Sequence, residues 1–110
     1  MKTKSKRVKA WGKRICIKDG NKEIARAYVY FMTNDLHEEP FAFLEDVWVD
    51  ENYRGRGLGQ EIVQKTIDAA KGAGCYKMIL TFRHPKEWLR YFYKRLGFQD
   101  HGMEFRLNLK

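Results

Sequence analysis

The chain has 110 residues, 22 Lys+Arg against 14 Asp+Glu, and a formal net charge of +8. This length allows one domain of ordinary size with a modest core, and 44% hydrophobic with 15% aromatic content excludes a disordered chain. No apolar run approaches the roughly 18–20 residues that cross a bilayer, and the basic start MKTKSKRVKAW lacks the apolar stretch of a secretory signal. Only two cysteines occur, Cys16 and Cys75. They fit neither a disulfide framework nor a metal motif, which points to a reducing, cytoplasmic compartment.

The charge is segregated. Residues 1–14 carry +7 and no acid, residues 15–53 carry −6, and residues 54–110 carry +7. Residues 1–12 read as a basic tail or a first strand, and 13–110 as a single domain. Lys13–Lys18 alternates weakly, and Asp19-Gly20-Asn21 after it is a hairpin signal. Ile24–Met32, rich in Tyr, Val and Phe, is a second strand. Thr33–Pro40 is polar and turn-like. Phe41–Val49 is a third strand, whose alternation predicts Phe41, Phe43, Glu45, Val47 and Val49 on one face and Ala42, Leu44, Asp46 and Trp48 on the other, unless a bulge intervenes.

Beyond a glycine-rich stretch the period changes. Leu58, Ile62, Val63, Thr66, Ile67 and Ala70 recur at helical spacing, so a helix runs to about Lys71 and ends at Gly72 and Gly74. Tyr76–Phe82 is a short apolar strand. Pro85 suits the first turn of a second helix, with Trp88, Leu89, Phe92 and Leu96 as its apolar stripe and Gly97 as its stop. Phe98–Leu109 can supply one or two last strands around Gly102. The order β-β-β-α-β-α-β(β) describes an α/β or α+β domain with a mixed, mostly antiparallel sheet and two main helices.

The segment Val47-Trp48-Val49-Asp50-Glu51-Asn52-Tyr53-Arg54-Gly55-Arg56-Gly57-Leu58-Gly59-Gln60 carries a chemical signal. A strand enters a loop with three glycines, and the loop opens a helix whose first N–H groups lack partners and whose dipole end is positive. Glycines let that backbone approach a ligand, which makes a cradle for a phosphate or diphosphate. Arg54 and Arg56 add cations. A lone Gly-x-Gly is more often a plain turn. A Walker A loop would need Gly-Lys-Ser/Thr, and a Rossmann fingerprint would need glycine at position 60 on a first βα unit, and neither is present.

On these residues the chain resembles the GNAT superfamily of N-acetyltransferases. Arg54-x-x-Gly57-x-Gly59 matches the superfamily's R/Q-x-x-G-x-G/A acetyl-CoA signature. Leu44-Glu45-Asp46-Val47-Trp48-Val49 looks like its fourth strand. Phe92-Tyr93-Lys94-Arg95-Leu96-Gly97-Phe98 is similar to its FYxxLGF motif. The resemblance implies an acyl-CoA N-acyltransferase fold, with acetyl-CoA lying where strands 41–49 and 76–82 splay apart. It implies main-chain contacts from Val47 and Val49 to the pantetheine arm. Arg54, Gly55, Arg56, Gly57, Leu58, Gly59 and Gln60 would surround the diphosphate.

The implied reaction is direct attack of an amine on the thioester, with no metal. The amine must be neutral, so its proton needs an acceptor; Glu45 is the favoured base and Asp46 the second choice. A backbone N–H near Val47 would stabilise the oxyanion. A tyrosine hydroxyl with a pKa near 10 can protonate the departing thiolate, and Tyr93 stands at the superfamily's position for it. The ordinary alternatives are a packing aromatic for Tyr93, like Tyr91 and Phe92, and a solvated acid pair for Glu45 and Asp46.

Two departures bear on the acceptor. Lys86 stands seven before Tyr93, where Asn is frequent, and the first fourteen residues can hardly supply the superfamily's N-terminal helices. The acceptor side is then open, completed by a homodimer partner, or shaped by the 33–40 loop. The acids between 34 and 53, Asp35, Glu38, Glu39, Glu45, Asp46, Asp50 and Glu51, favour a cationic amine. His37, His84 and His101 have no partner at metal-ligand spacing. Trp11, Trp48 and Trp88 read as core or interface aromatics, and Cys75 as a small buried residue. The competing reading is a CoA-binding module without efficient transfer, whose basic tail engages nucleic acid or another acidic partner. The tail has no aromatic among its charges except Trp11, so nucleic acid is not the expected partner.

Overall fold

The computed structural model describes residues 1–83 and 86–110, so the expectations for His84 and Pro85 fall outside the described residues. The elements in chain order are β1 (Ala10–Asp19), β2 (Lys22–Met32), β3 (Phe41–Val49), a single 3-10 turn (Glu51–Tyr53), α1 (Leu58–Gly72), β4 (Met78–Leu80) and α2 (Glu87–Arg95). Chain contacts divide the molecule into two compact units, Met1–Leu80 and Thr81–Lys110.

The first unit is a four-stranded sheet in the order β1-β2-β3-β4 with α1 against it. The first three strands are antiparallel neighbours, and β4 pairs parallel to β3. Gly20 and Asn21 form the two-residue hairpin loop predicted between β1 and β2. β3 has the predicted bounds, and β4 is shorter than the apolar run 76–82. Tyr76 is tied to Pro40 and Lys77 to Ala42 by backbone hydrogen bonds before β4 begins.

Alternation along β2 separates its two faces. Ala25, Ala27, Val29 and Phe31 are fully buried, whereas Arg26, Tyr28 and Tyr30 lie on the other side. α1 presents Ile62, Val63, Thr66 and Ala70 as its buried stripe, as the helical period predicts. The core gathers Val29, Phe31, Ala42 and Ala70, with Ile15, Ala69, Ala73, Cys75 and Met78 packed around them. Alanines on both elements bring the helix close to the sheet. The one buried hydroxyl of the stripe, on Thr66, donates to the Val63 carbonyl at 2.6 Å, so its burial leaves nothing unsatisfied. Trp11 stacks on Phe31 with ring centroids 5.3 Å apart.

The strict alternation expected for β3 fails at one residue. Tyr28 is opposite Glu45 but Arg26 is opposite Trp48, so three steps on β3 match two on β2. The extra residue is accommodated by a bulge, and Asp46 takes a positive φ of 53°. Parity reverses there. Trp48 shares the Glu45 face, while Val49 lies opposite Ala25 on the α1 face. Glu45 therefore does not share a pleat face with Val47 and Val49.

The second unit contains α2 and the residues that follow it. Gly97 has a φ of 101°, and the Phe98 and Gly97 amides return to the Tyr93 and Lys94 carbonyls, which closes the helix in a Schellman motif. α1 ends the same way at Gly74. The stripe expected on α2 is shifted: Tyr93 is its buried residue, whereas Trp88 and Tyr91 are exposed. Trp88 is thus not a core aromatic, and Tyr91 does not pack as Phe92 does. The last strands expected within Phe98–Leu109 do not form. Residues 99–110 have no strand pairing and are all exposed, because an alternating segment becomes a strand only beside a sheet edge.

Leu44 is 2% exposed and sits at the last rung shared by β3 and β4. Leu44→Ala should lower unfolding stability by about 2–5 kcal/mol. Denaturant titration is expected to show a lower midpoint with an unchanged slope.

Candidate functional site

β3 changes partners along its length. Its first part lies between β2 and β4, and the ladder to β4 ends at the Leu44–Leu80 rung. Ala42 donates its amide to Lys77 on the β4 side at 2.9 Å, and Asp50 donates to Ile24 on the β2 side at 2.8 Å. Alternation back from Asp50 directs the N–H groups of Val49 and Val47 away from β2, onto the edge that β4 has left. The Val49 carbonyl on that edge accepts a hydrogen bond from Arg54 Nε at 3.3 Å.

The bulge beside this edge is clamped. The Arg26 guanidinium donates to the Asp46 carbonyl. It also lies 5.5 Å from the Trp48 ring centroid and 6.0 Å from that of Tyr28. A left-handed conformation costs an ordinary L-residue roughly 1–2 kcal/mol, less for Asp, and a hydrogen bond from a charged group contributes about 1.5–3 kcal/mol. The clamp is therefore large enough to hold the bulge. Glu45, next to it, is exposed on the face away from α1, in a row with Tyr28 and Arg14.

After β3 the chain is pinned at each step. The Asp50 carboxylate accepts from the Asn52 amide at 2.8 Å, and the Asp50 carbonyl accepts from Tyr53 at 2.9 Å. The Tyr53 hydroxyl donates to Asp19 in the β1–β2 hairpin at 2.6 Å, and that bond holds its pKa above the usual value. Arg56 lies 4.9 Å from the Tyr53 ring centroid and Lys22 5.5 Å from it. Gly55 and Gly57 both have a φ of 80°, a conformation that favours glycine. A Cβ at either would meet nothing within 4 Å, so the space over the loop is open.

α1 starts from Gly57 with no side-chain cap. The Glu61 amide donates to the Gly57 carbonyl at 3.1 Å, closing the first turn. The amides at 58–60 precede that bond and have no carbonyl four residues back within the helix. They lie beside Arg54 and Arg56, which make no ion pair among the described residues. An open groove of about 370 Å³ begins at Gly57 and follows α1 past Gln60, Gln64 and Asp68. The loop and helix end thus offer uncapped amides, adjacent cations and open space.

In the second unit, Tyr93 is 8% exposed and surrounded by aromatic rings. Its centroid is 5.0 Å from Phe92, 5.6 Å from Phe98 and 6.1 Å from Phe82. Burial raises the pKa of its hydroxyl, so it keeps its proton through the neutral range. Burial likewise raises the Cys75 thiol pKa in the first unit. Among the described residues no group of three or more His, Cys, Asp or Glu is placed to hold a metal ion, and no helix is long and apolar enough to cross a membrane.

The expected site residues fall into two sets. Glu45, Val47, Val49 and 54–60 form one continuous path in the first unit, and Tyr93 belongs to the second. Sequence reading missed the supporting residues Asp19, Lys22, Arg26 and Tyr53. Tyr53 alone left a local trace, as a large aromatic in an otherwise polar loop.

The family model described as "Acetyltransferase (GNAT) family" matches residues 3–98. The chain belongs to the GNAT family. A glucosamine 6-phosphate N-acetyltransferase of Trypanosoma brucei brucei is 41% identical over 66 residues, which are 60% of this chain and 43% of that protein. A thialysine N-epsilon-acetyltransferase of Bos taurus is 36% identical over 72 residues, covering 66% and 42%. A crystal structure of a Trypanosoma brucei acetyltransferase superposes with a TM-score of 0.76 at 30% identity, covering 91% of this chain and 69% of that one. The GNAT chain described here spans less than half the length of the curated relatives it matches.

The bulge gives a direct test of the clamp. Asp46→Gly should leave stability within about 0.5 kcal/mol of the parent, and Asp46→Val should cost about 1–2 kcal/mol, because a β-branched residue tolerates positive φ poorly. Urea unfolding of the two variants side by side measures the difference.

Proposed function

We propose that this chain transfers an acetyl group from acetyl-CoA to a primary amine by direct attack. The observation that carries this reading is the free edge of β3 beyond Leu44, which leads through the glycine loop into the uncapped start of α1. An extended amide-bearing arm fits the edge and a diphosphate fits the helix end. GNAT acetyltransferases use acetyl-CoA, whose pantetheine and diphosphate have this order. In this reading Val47 and Val49 bond the arm through their backbones. The amides and cations of Arg54, Gly55, Arg56, Gly57, Leu58, Gly59 and Gln60 hold the diphosphate.

When bound, acetyl-CoA supplies the thioester acyl group. The amine nitrogen forms a bond to the acyl carbon, the carbon–sulfur bond breaks, and the sulfur leaves as a thiolate. A backbone amide near Val47 faces the charge that builds on the acyl oxygen. Glu45, exposed beside the bulge, takes the amine proton directly or through water, and Asp46 is the second candidate. Tyr93 returns a proton to the thiolate. Its buried hydroxyl carries its proton at neutral pH, although burial raises its pKa and so makes it a weaker donor than a free tyrosine.

The acceptor is a small amine, or an amine on a protein. Both relatives cited above are named for amine substrates, an amino-sugar phosphate and a lysine analogue. The exposed carboxylates of Glu45 and Glu51, which make no ion pair among the described residues, support a cationic acceptor.

Thiol release from acetyl-CoA with amino sugars, their phosphates, polyamines and lysine derivatives tests the reaction. Acceptor-dependent turnover with at least one class is expected. CoA binding with no release above buffer would reduce the chain to a CoA-binding module. Tyr93→Phe should lower kcat by about 100-fold or more while leaving the acetyl-CoA KM within about threefold; an unchanged kcat removes Tyr93 from the chemistry. Gly57→Val should instead raise the acetyl-CoA KM by at least about tenfold, since its side chain strains the loop and enters the diphosphate space.

A further inference from the structure

Within the first unit α1 is the one α-helix, and it packs on one face of the sheet. No other helix of that unit covers the opposite face, which carries a row of apolar side chains. Strand pairing aligns Gly12, Tyr30, Phe43 and Ile79 across all four strands on this face. Tyr30 is 37% and Ile79 38% exposed. The Tyr30 ring lies over Gly12, where a Cβ would come within 2.8 Å of the ring's Cδ1. The Tyr28 hydroxyl accepts from Arg14 Nε at 3.1 Å, so this ring also leans toward β1. The two tyrosine rings are 13° from parallel, with centroids 6.3 Å apart. They make an aromatic floor, and Glu45 stands at its border, directly opposite Tyr28 on β3.

The charges around the floor specify its occupant. Glu45 is an exposed carboxylate with no ion pair among the described residues, so it complements one ammonium group. The Arg14 guanidinium is already paired with Glu23 at 2.6 Å, and that of Arg26 is engaged by the Asp46 carbonyl. Both guanidiniums lie near the Tyr28 ring, 5.8 and 6.0 Å from its centroid. A second cation on this floor would therefore be repelled by two that are already there. We propose that this face binds the body of the acceptor, and that the acceptor is a monoamine whose body is an uncharged aromatic or apolar group. The proposal rests on the acetyl-transfer reading for the fate of the amine, and it adds the chemical class of what the amine is attached to.

The strand spacing sets the length of that molecule. Glu45 and the tyrosines are on adjacent strands, about 4.8 Å apart. An amine held at Glu45 thus reaches the floor through a spacer of two or three bonds. A flat ring placed there packs on Tyr28 and Tyr30 in the offset or edge-on arrangements that aromatic pairs favour. Phe43 and Ile79 continue the apolar row for a longer body. Polyamines bring a second ammonium to the guanidiniums. A phosphorylated body finds only Arg26, which the bulge already holds.

Calorimetric titration of the full chain in the presence of CoA tests the site by binding alone, with 2-phenylethylamine, propylamine, 1,4-diaminobutane and glucosamine 6-phosphate as probes. The Kd of 2-phenylethylamine should be at least about tenfold below that of propylamine, since the ring buries apolar surface that propylamine lacks. It should also be the lowest of the four. Tyr30→Ser should cut the preference for 2-phenylethylamine over propylamine by at least about fivefold, whereas Tyr30→Phe, which keeps the ring, should hold it within about twofold of the parent. Thiol release from acetyl-CoA with the same amines should follow the same order in kcat/KM. Equal Kd values for 2-phenylethylamine and propylamine, tighter binding of the diamine or the sugar phosphate, or a Tyr30→Ser variant with the parent's preference overturns the proposal. The expected binding order with no thiol release from any amine would leave the amine site standing and overturn the acetyl-transfer reading instead.

Discussion

β3 has to be a central strand at one end and a bare edge at the other. Ala42, Phe43 and Leu44 are held on both sides, whereas from Glu45 onward the β4 ladder is gone and β2 alone holds it. A strand released on one side can twist and slip, and the bulge at Asp46 fixes it in one register. Arg26 makes the bulge stable from the neighbouring strand by bonding the displaced carbonyl and packing against Trp48. This contact decides which side chains face α1, where the free amides of Val47 and Val49 point, and that Glu45 is presented on the opposite face. The rest of the proposed site inherits its geometry from that point.

The glycine loop depends on a similar division of labour. Glycine gives the backbone the positive φ it needs, but glycine alone would leave the loop loose, and a loose cradle loses binding energy to ordering. Order comes from residues that do not face the open space: the Asp50 carboxylate on Asn52, the Tyr53 hydroxyl on Asp19, and Arg54 on the Val49 carbonyl. The Tyr53 ring in turn carries Arg56 on its face, which restrains a long cationic side chain. The hairpin between β1 and β2 thus helps position a loop more than thirty residues away in sequence.

Elements with a strong repeat were legible from the sequence, and features set by a distant partner were not. β3 and the α1 stripe follow directly from alternation and helical spacing, and the glycine loop from its composition. The bulge left only an indirect sign. Ala42 and Leu44 share a face with Val49, an odd number of steps after Leu44, and Phe41 and Phe43 on the opposite face hid the break in parity. Arg26 looked like an ordinary strand residue because its partners, Asp46 and Trp48, lie twenty or more positions on. The segment 103–109 reads as a strand by period, yet pairing is a property of two segments, and among the described residues it has no paired strand. On α2 the pattern located the helix but misplaced its inner side, since Trp88 is as apolar as the residues that are buried.

Charge illustrates the difference between sequence order and spatial order. Along the chain the basic start and the acidic stretch look like separate poles. In the fold β1 runs back along β2 and the loop after it, so members of the two blocks meet: Lys6 with Asp35 at 2.5 Å and Arg14 with Glu23 at 2.6 Å, while Lys22 meets Asp50 within the acidic stretch at 3.5 Å. The Arg14 guanidinium lowers the pKa of the Glu23 carboxyl. Most of these contacts are exposed, and each contributes little to stability, but together they cancel much of the polarity that the segments carry in isolation. Glu45 and Glu51 are acids of the same stretch that make no ion pair among the described residues. They flank the free part of β3, with Arg54 and Arg56 just beyond. In the proposed reaction, the field that the anionic and amine substrates would meet is therefore set by these few unpaired groups at the two ends of one strand edge. It is not set by the net charge of +8.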